Sequence, residues 1–386
     1  MRAGESLIGN PGAIHSEATK AHDVLENARR SIARELACKP REILFTSGLT
    51  ESINLSILGF ARALLQGRTL YTAQQSAIQG STLERTHWIV SSIEHAAILE
   101  CFGEIERLGG KVSYIEPDER GIFSVESVIQ AIRKETVFIS IGWANNEIGV
   151  VQPLRDITRA LKEKHPHVVF HSDAGQAPLY LSPQVHTLGV DLMSFGSNKL
   201  YGPHGIGALY ASRGVTIAPI ILGGGQERGM RAGTENAALA AGFARAVEVI
   251  ATERESESLR VTKLRDEFLR DIIQKIPTTI QNGGNARLLP HMLNISIPGI
   301  QSEYVTLALD AEGVALSTKS ACNEGAEGRS HVVEAIARAQ GHRSTEEDVI
   351  SRASSTLRFS LGRTTRARDL QRVSQALFKI CTRIKS

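Results

Sequence analysis

Short apolar runs alternate with longer amphipathic stretches through the first half of the chain. "EILF" (Glu42–Phe45), "HWIVSSI" (His87–Ile93), "VFISIGW" (Val137–Trp143), "VVFHSD" (Val168–Asp173), "DLMSF" (Asp191–Phe195) and "GIGALY" (Gly205–Tyr210) each read as a strand. Between several of them lie helical patterns, such as Ala96–Gly109 and Pro153–His165. Runs this short and this apolar suit strands buried on both faces, and intervening helices make the sheet largely parallel. A long Ala-rich helix is predicted over Thr234–Glu253.

The pattern then changes. A helix near Ser256–Lys275 leads to strand-like "HMLNISI" (His291–Ile297), a helix near Ser302–Glu312 and a strand "VALST" (Val314–Thr318). A helix over Ser330–Ala339 and a strand "STLRFSL" (Ser355–Leu361) follow. This predicts a large domain over residues 1–253, with a short N-terminal arm, and a smaller α+β domain over 254–386.

Composition narrows the function classes. The 386 residues are 42% hydrophobic and 22% charged, which fits a globular chain with a sizeable core. A net charge of +3 with no basic block gives no sign of a nucleic-acid partner. The four cysteines, Cys38, Cys101, Cys322 and Cys381, are scattered, so no metal site is expected and reduced thiols in a cytoplasmic setting are. The N-terminus lacks an apolar signal core, and no run approaches the ~18 apolar residues of a membrane span.

Candidate chemistry gathers where predicted strands end. "FTSGLTES" carries Thr46, Ser47 and Gly48 into a helix, where free N–H groups suit a phosphate; a plain helix cap is the alternative. Asp173, followed by Gly175 and Gln176, ends another strand, and a carboxylate there serves as a metal ligand, a base, the partner of a pyridinium nitrogen, or only a cap. Lys199, after "DLMSF", is either a solvated surface lysine or an amine able to form a Schiff base. His95 follows a strand and could stack on a flat cofactor, shuttle protons or start a helix. Asn145 and Asn146 in "WANNEIG" could bond a cofactor oxygen or make a turn.

Three further segments qualify. The glycine-rich "GGGQERGMRAGTEN" (Gly223–Asn236) allows close backbone approach or is simply flexible, and its Thr234 also reads as a helix cap. Cys322 sits in a polar loop, a better place for a nucleophile than a core, provided it is deprotonated. Arg358, with Arg363 nearby, suits a carboxylate or a surface ion pair.

Taken together, these segments resemble the cysteine desulfurases of the class V aminotransferase group. The resemblance runs from "GNPGAIH" to "LRFSLGRTT" and rests on "FTSGLTES", "SSIEHAAIL", "NNEIGVVQP", "HSDAGQ", "DLMSFGSNKLYGPHGIGALY", "GGGQERGMRAGTEN" and "STKSAC" in this order. It implies the aspartate-aminotransferase-like fold type I and pyridoxal 5'-phosphate. Lys199 would hold the cofactor as a Schiff base, Asp173 would pair with its ring nitrogen, and Gln176 and Asn146 would bond the ring oxygen. His95 would stack on the ring and assist proton transfers. Gly48, Leu49 and Thr50 would hold the phosphate, with Thr234 reaching the phosphate of a neighbouring subunit in a homodimer. Arg358 would bind the carboxylate of L-cysteine. Cys322 would take the sulfur as a persulfide and hand it to an acceptor protein, serving iron–sulfur assembly or tRNA thiolation.

Two departures carry expectations of their own. The family has a strand and a "DNAATTP"-like segment before "GNP", where this sequence has only Met1–Gly9 ahead of Asn10. In the family that segment helps form the substrate side of the site, so its absence implies a truncated chain, a distant start codon or a weakened enzyme. The family's S-x-H-K is here Gly196-Ser197-Asn198-Lys199, so a phosphate-binding hydroxyl and an imidazole are replaced. Ser197 is the expected substitute hydroxyl, Asn198 the substitute for the imidazole, and weaker cofactor retention is expected. The alternatives are a selenocysteine lyase, another class V lyase or aminotransferase, or an impaired paralogue acting as a binding partner.

Overall fold

The computed structural model describes residues 9–68, 82–318 and 329–385. The N-terminal segment discussed above lies mostly outside these residues, and Cys322 lies outside them altogether.

Seven strands form one sheet: β1 (Ile43–Thr46), β2 (His87–Ser91), β3 (Lys111–Ile115), β4 (Thr136–Ser140), β5 (Val169–Asp173), β6 (Leu192–Gly196) and β7 (Gly207–Ala211). Their order is β1-β7-β6-β5-β4-β2-β3. All adjacent pairs from β6 to β3 are parallel, whereas β7 runs antiparallel to β6 and β1. The short Gly/Pro-rich link between β6 and β7 leaves no room for a crossover helix, so the chain must turn straight back. β3 was not predicted. It is a half-exposed edge strand that begins with Lys111, so it lacks the apolar run that marks its neighbours.

Helices cover both faces. On one, α1 (Ser16–Glu35), α4 (Val125–Gln130), α5 (Leu154–Lys164) and the short α6 (Val185–Leu188) pack with Ile89, Ile139 and Phe170 of the sheet. On the other, α2 (Leu49–Leu65) and α3 (Ala96–Arg107) pack with Trp88, Val90, Phe138 and Val169. Successive residues of one strand thus enter opposite cores, which is why the strands read as continuous apolar runs.

The two helices expected around residue 253 are one helix, α7 (Ala237–Lys275), of 39 residues. It contains no proline, and its only glycine, Gly242, lies near its start, so nothing breaks it at 253. Its buried residues up to Ile250 join the core that contains α1, while Val261, Phe268 and Ile272 join a third cluster. That third cluster lies on a smaller antiparallel sheet of order β10-β9-β8, made of β8 (Ile280–Gln281), β9 (Met292–Ser296) and β10 (Thr356–Ser360). Beside it are α8 (Ser302–Ala311), α9 (His331–Arg338), α10 (Glu346–Ser354) and α11 (Ala367–Lys385). Val332, Val333 and Ile336 of α9 pack into the first core, so the C-terminal part is seated on the large sheet. The predicted strand at Val314–Thr318 reduces to an isolated bridge between Ser317 and Arg358.

Candidate active site

The carboxyl ends of β1, β2, β4, β5 and β6 open on one side of the sheet, where α/β proteins bind ligands. A cleft of about 130 Å³ lies there. Leu49, His95, Asn146, Asp173, Gln176 and Lys199 line it, together with Arg358 from the smaller sheet.

The phosphate-type turn forms because strand β1 stops at Thr46 and Gly48 starts α2. Thr46 Oγ1 donates to the Gly48 carbonyl at 3.0 Å and lies 2.7 Å from Ser52 Oγ, which fixes the turn. The first-turn N–H groups of this 17-residue helix have no intrahelical acceptor, and they carry the positive end of its dipole. β7 packs directly beneath. A Cβ on Gly207 would stand 2.6 Å from the carbonyl carbon of Gly48. Thr50 is exposed and its carbonyl accepts from Asn54.

Asp173 is set at the end of β5, with Oδ1 accepting the Gly175 N–H at 2.7 Å. Burial raises its pKa to about 6, opposed by that N–H and by the charge of Lys199. His95 starts a helix and also lines the cleft: it caps α3, Nδ1 accepting the Ala97 N–H at 3.1 Å. With Nδ1 accepting, its proton sits on Nε2. Burial and then the Lys199 charge lower its pKa, which keeps the ring neutral.

The two amides of "WANNEIG" divide their duties. Asn145 makes the turn: its Oδ1 accepts from Glu147 N and Ile148 N, and its Nδ2 donates to the Ile93 carbonyl. Asn146 lines the cleft, and its carbonyl accepts from Arg358 Nη1 at 3.0 Å. Arg358 also exchanges backbone hydrogen bonds with Ser317, donating at 2.7 Å. Both flanks of the Cys322 segment are therefore tied to the cleft wall: Ser317 to Arg358, and Ser330 Oγ to Glu147 at 2.5 Å.

The Aminotransferase class-V family profile matches residues 5–373. The chain belongs to that family. A cysteine desulfurase IscS of Dictyoglomus turgidum is 37% identical over 98% of this chain and 89% of its own length. A solved NifS-like protein aligns over 99% of this chain and 95% of its own, with a TM-score of 0.83 and 30% identity. A structure described as SspA in complex with cysteine aligns over 92% and 91%, with a TM-score of 0.74 and 34% identity.

Against the family pattern, two expected residues lie off the cleft wall. Ser197 does not line the cleft, and its hydroxyl lies on the side of Gly202. It is fully buried, its Oγ has no hydrogen-bond partner, and a Cβ on Gly202 would come within 2.2 Å of it. The position that does face the α2 turn is Gly196, where a Cβ would lie 3.1 Å from Leu49 Cβ and 3.1 Å from Asn198 Oδ1. Thr234 is not the cap of α7. Asn236 caps it, accepting from Leu239 N at 3.0 Å. Thr234 is exposed and lines a separate cavity with Thr46, Ser47 and Arg231, outside the Lys199 cleft.

The glycine-rich loop is pinned. Glu227 and Arg228 adopt left-handed backbone (φ 48° and 59°), and buried Glu227 accepts from both Nη atoms of Arg29 and from Phe45 N. Sequence reading also missed Glu94, Ser91, Phe123 and Gln152, all cleft-lining. Gln152 is spent on the wall, bonding Phe123 N and the Gly121 carbonyl. Only the adjacency of Glu94 to His95 could have signalled it.

Proposed function

We propose that this chain is a pyridoxal-phosphate-dependent cysteine desulfurase. It removes sulfur from L-cysteine, releases L-alanine, and holds the sulfur as a persulfide on Cys322. The observation that carries this reading is the convergence of Lys199, Asp173, His95 and Arg358 on one cleft beside the first turn of α2.

The residues fit the cofactor. Its phosphate belongs at the N-terminus of α2, against Gly48, Leu49 and Thr50, with Asn198 alongside. Asp173 carries the buried charge that a protonated ring nitrogen requires. Gln176 and Asn146 would supply amides for the ring oxygen, and His95 would stack on the ring. When bound, the cofactor supplies the electron sink for carbanion chemistry. Lys199 holds it and moves a proton at the substrate carbon. Arg358, steadied on the Asn146 carbonyl, takes the substrate carboxylate.

The Cys322 thiolate attacks the substrate sulfur. The S–S bond forms as the substrate C–S bond breaks, the electron pair stays on carbon, and that carbon takes a proton to become the methyl group of alanine. The sulfur then passes to an acceptor protein. Thr234 is exposed and lines a cavity apart from the Lys199 cleft, which suits service to a neighbouring subunit in a homodimer. Among the described residues no helix is long and apolar enough to cross a membrane.

The test is L-cysteine turnover by the purified protein, with alanine and persulfide measured. Lys199→Ala is expected to lose both the yellow colour and turnover. Cys322→Ala is expected to keep the colour and lose turnover. Full activity in Cys322→Ala, or activity on L-selenocysteine alone, overturns the reading.

A further inference from the structure

Two carboxyl groups, not one, line the cleft. Besides Asp173, the side chain of Glu94 lines it, and Glu94 is only 6% exposed. Its Oε1 accepts the Gly142 N–H at 2.7 Å. Oε2 lies so close to Gly142 that a Cβ there would come within 2.9 Å. Among the described residues no Lys or Arg forms an ion pair with it. Ser91 faces it, fully buried; its hydroxyl falls short of good hydrogen-bond geometry but lies near enough to favour the carboxylate.

The two carboxyl groups are unequally supported. Asp173 has the Gly175 N–H and the field of the Lys199 cation, whereas Glu94 has only neutral donors, the Gly142 N–H and the nearby Ser91 hydroxyl, and feels the repulsion of Asp173. The other charged or titratable groups of the cleft are His95 and Arg358, and His331 Nε2 reaches the Glu94 backbone carbonyl, to which it donates at 3.2 Å, rather than its carboxyl. Two neighbouring anions in one cleft are costly, and the group without a cation beside it keeps the proton.

We propose that Glu94 holds a proton in this cleft and so leaves Asp173 as its buried anion, which makes Glu94 a positioning residue for the charge that meets the cofactor ring. Burial pushes the Glu94 carboxyl up to about 7, in line with the geometry. The pair titrates together, so its apparent values belong to both groups. The ring-facing role rests on the desulfurase reading, but the location of the proton does not.

The experiment is infrared titration of the full chain, as purified and after cofactor removal. Wild-type protein is expected to show a carboxylic-acid C=O band that disappears near neutral pH. E94Q is expected to lack this band. D173N is expected to keep it, with a midpoint lowered by about one pH unit because the like charge is gone. Loaded with pyridoxal phosphate, wild type is expected to show a matching step in the pH dependence of the visible absorbance, and E94Q to lack it. A band that survives in E94Q and vanishes in D173N places the proton on Asp173 and overturns the proposal. So does the absence of any titrating band in wild type. Should E94Q fail to fold, the D173N titration alone decides between the two carboxyl groups. Failure of Lys199→Ala to abolish turnover would strike the desulfurase reading and leave the proton's location standing.

Discussion

Ser330 Oγ donates to Glu147 Oε2 at 2.5 Å while accepting the N–H of Val333, so one hydroxyl both caps α9 and binds a buried carboxylate next to Asn146. Glu147 is 1% exposed, and a buried carboxylate depends on its donors. Ser330→Ala removes a donor and a cap together. It is expected to cost about 1–3 kcal/mol, read by urea denaturation. Because Ser330 also fixes the end of the Cys322 segment, persulfide formation is expected to fall while cofactor absorbance stays. Unchanged stability would show that the hydrogen bond contributes nothing.

The phosphate end of the cleft is expected to be under-supplied. Gly196 offers no hydroxyl beside Leu49, and Ser197 turns its own toward Gly202. A serine at 196 alone would meet Asn198 Oδ1 at 3.1 Å. The single variant Gly196→Ser is therefore expected to gain little. The pair Gly196→Ser with Asn198→His exchanges the crowding amide for an imidazole and is expected to slow pyridoxal phosphate dissociation roughly tenfold, one hydrogen bond's worth. Dissociation followed by loss of visible absorbance measures this, and equal or faster loss in the pair counts against it.

Much of the fold was legible because six strands are buried on both faces and so read as apolar runs. Edge strand β3 was not, since half-exposed Val112 and Ser113 carry no such signal. The strand-end residues were legible because topology alone brings the ends of parallel strands together. Side-chain direction was not. Nothing in "GSNK" tells that Ser197 points to Gly202, or in "NNEIG" that the first amide makes the turn and the second faces the cleft. Glu94 was invisible for a physical reason: carboxylates are seldom buried, so its burial had no prior from sequence. The stiffness of "GGGQERG" was hidden too, because it comes from Arg29, 198 positions away from Glu227.

Buried His171 gives a clean pH prediction. It lies in β5 between Ser140 Oγ (2.9 Å) and Ser194 Oγ (3.0 Å). Burial lowers its pKa from 6.5 to about 3. The unfolded chain therefore binds a proton that the folded one refuses. Its contribution is present above pH 6.5 and is lost as pH falls toward 3, at up to about 1.4 kcal/mol per pH unit. In cofactor-free protein Glu94 and Asp173 act in the opposite sense, since their raised values favour folding at low pH. Comparison with His171→Gln isolates the histidine. The variant is expected to be less stable at pH 7 but to have an acid limb flatter by about one proton. Parallel limbs in urea denaturation at pH 4 to 7 would exclude a neutral buried ring.

Gly207 tests whether the α2 turn is held by close backbone packing. It pairs with Thr46 of β1 on one side and Gly196 of β6 on the other, so it cannot shift without breaking two ladders. An added Cβ would stand 2.6 Å from Gly48 C and 2.8 Å from Gly48 Cα and O, all backbone atoms with no rotamer to escape into. Gly207→Ala must push the Gly48–Leu49 turn away from the sheet. Overpacking of this kind costs about 1–3 kcal/mol, and the displaced N–H groups no longer converge on a phosphate. Thermal unfolding is expected to fall by several degrees, and pyridoxal phosphate affinity by roughly tenfold or more. Gly103→Ala on α3 is the control, because its nearest contact would be the flexible tip of Arg107 at 3.9 Å. It is expected to leave affinity unchanged. Equal affinities in wild type and Gly207→Ala would mean that the turn is not a phosphate site.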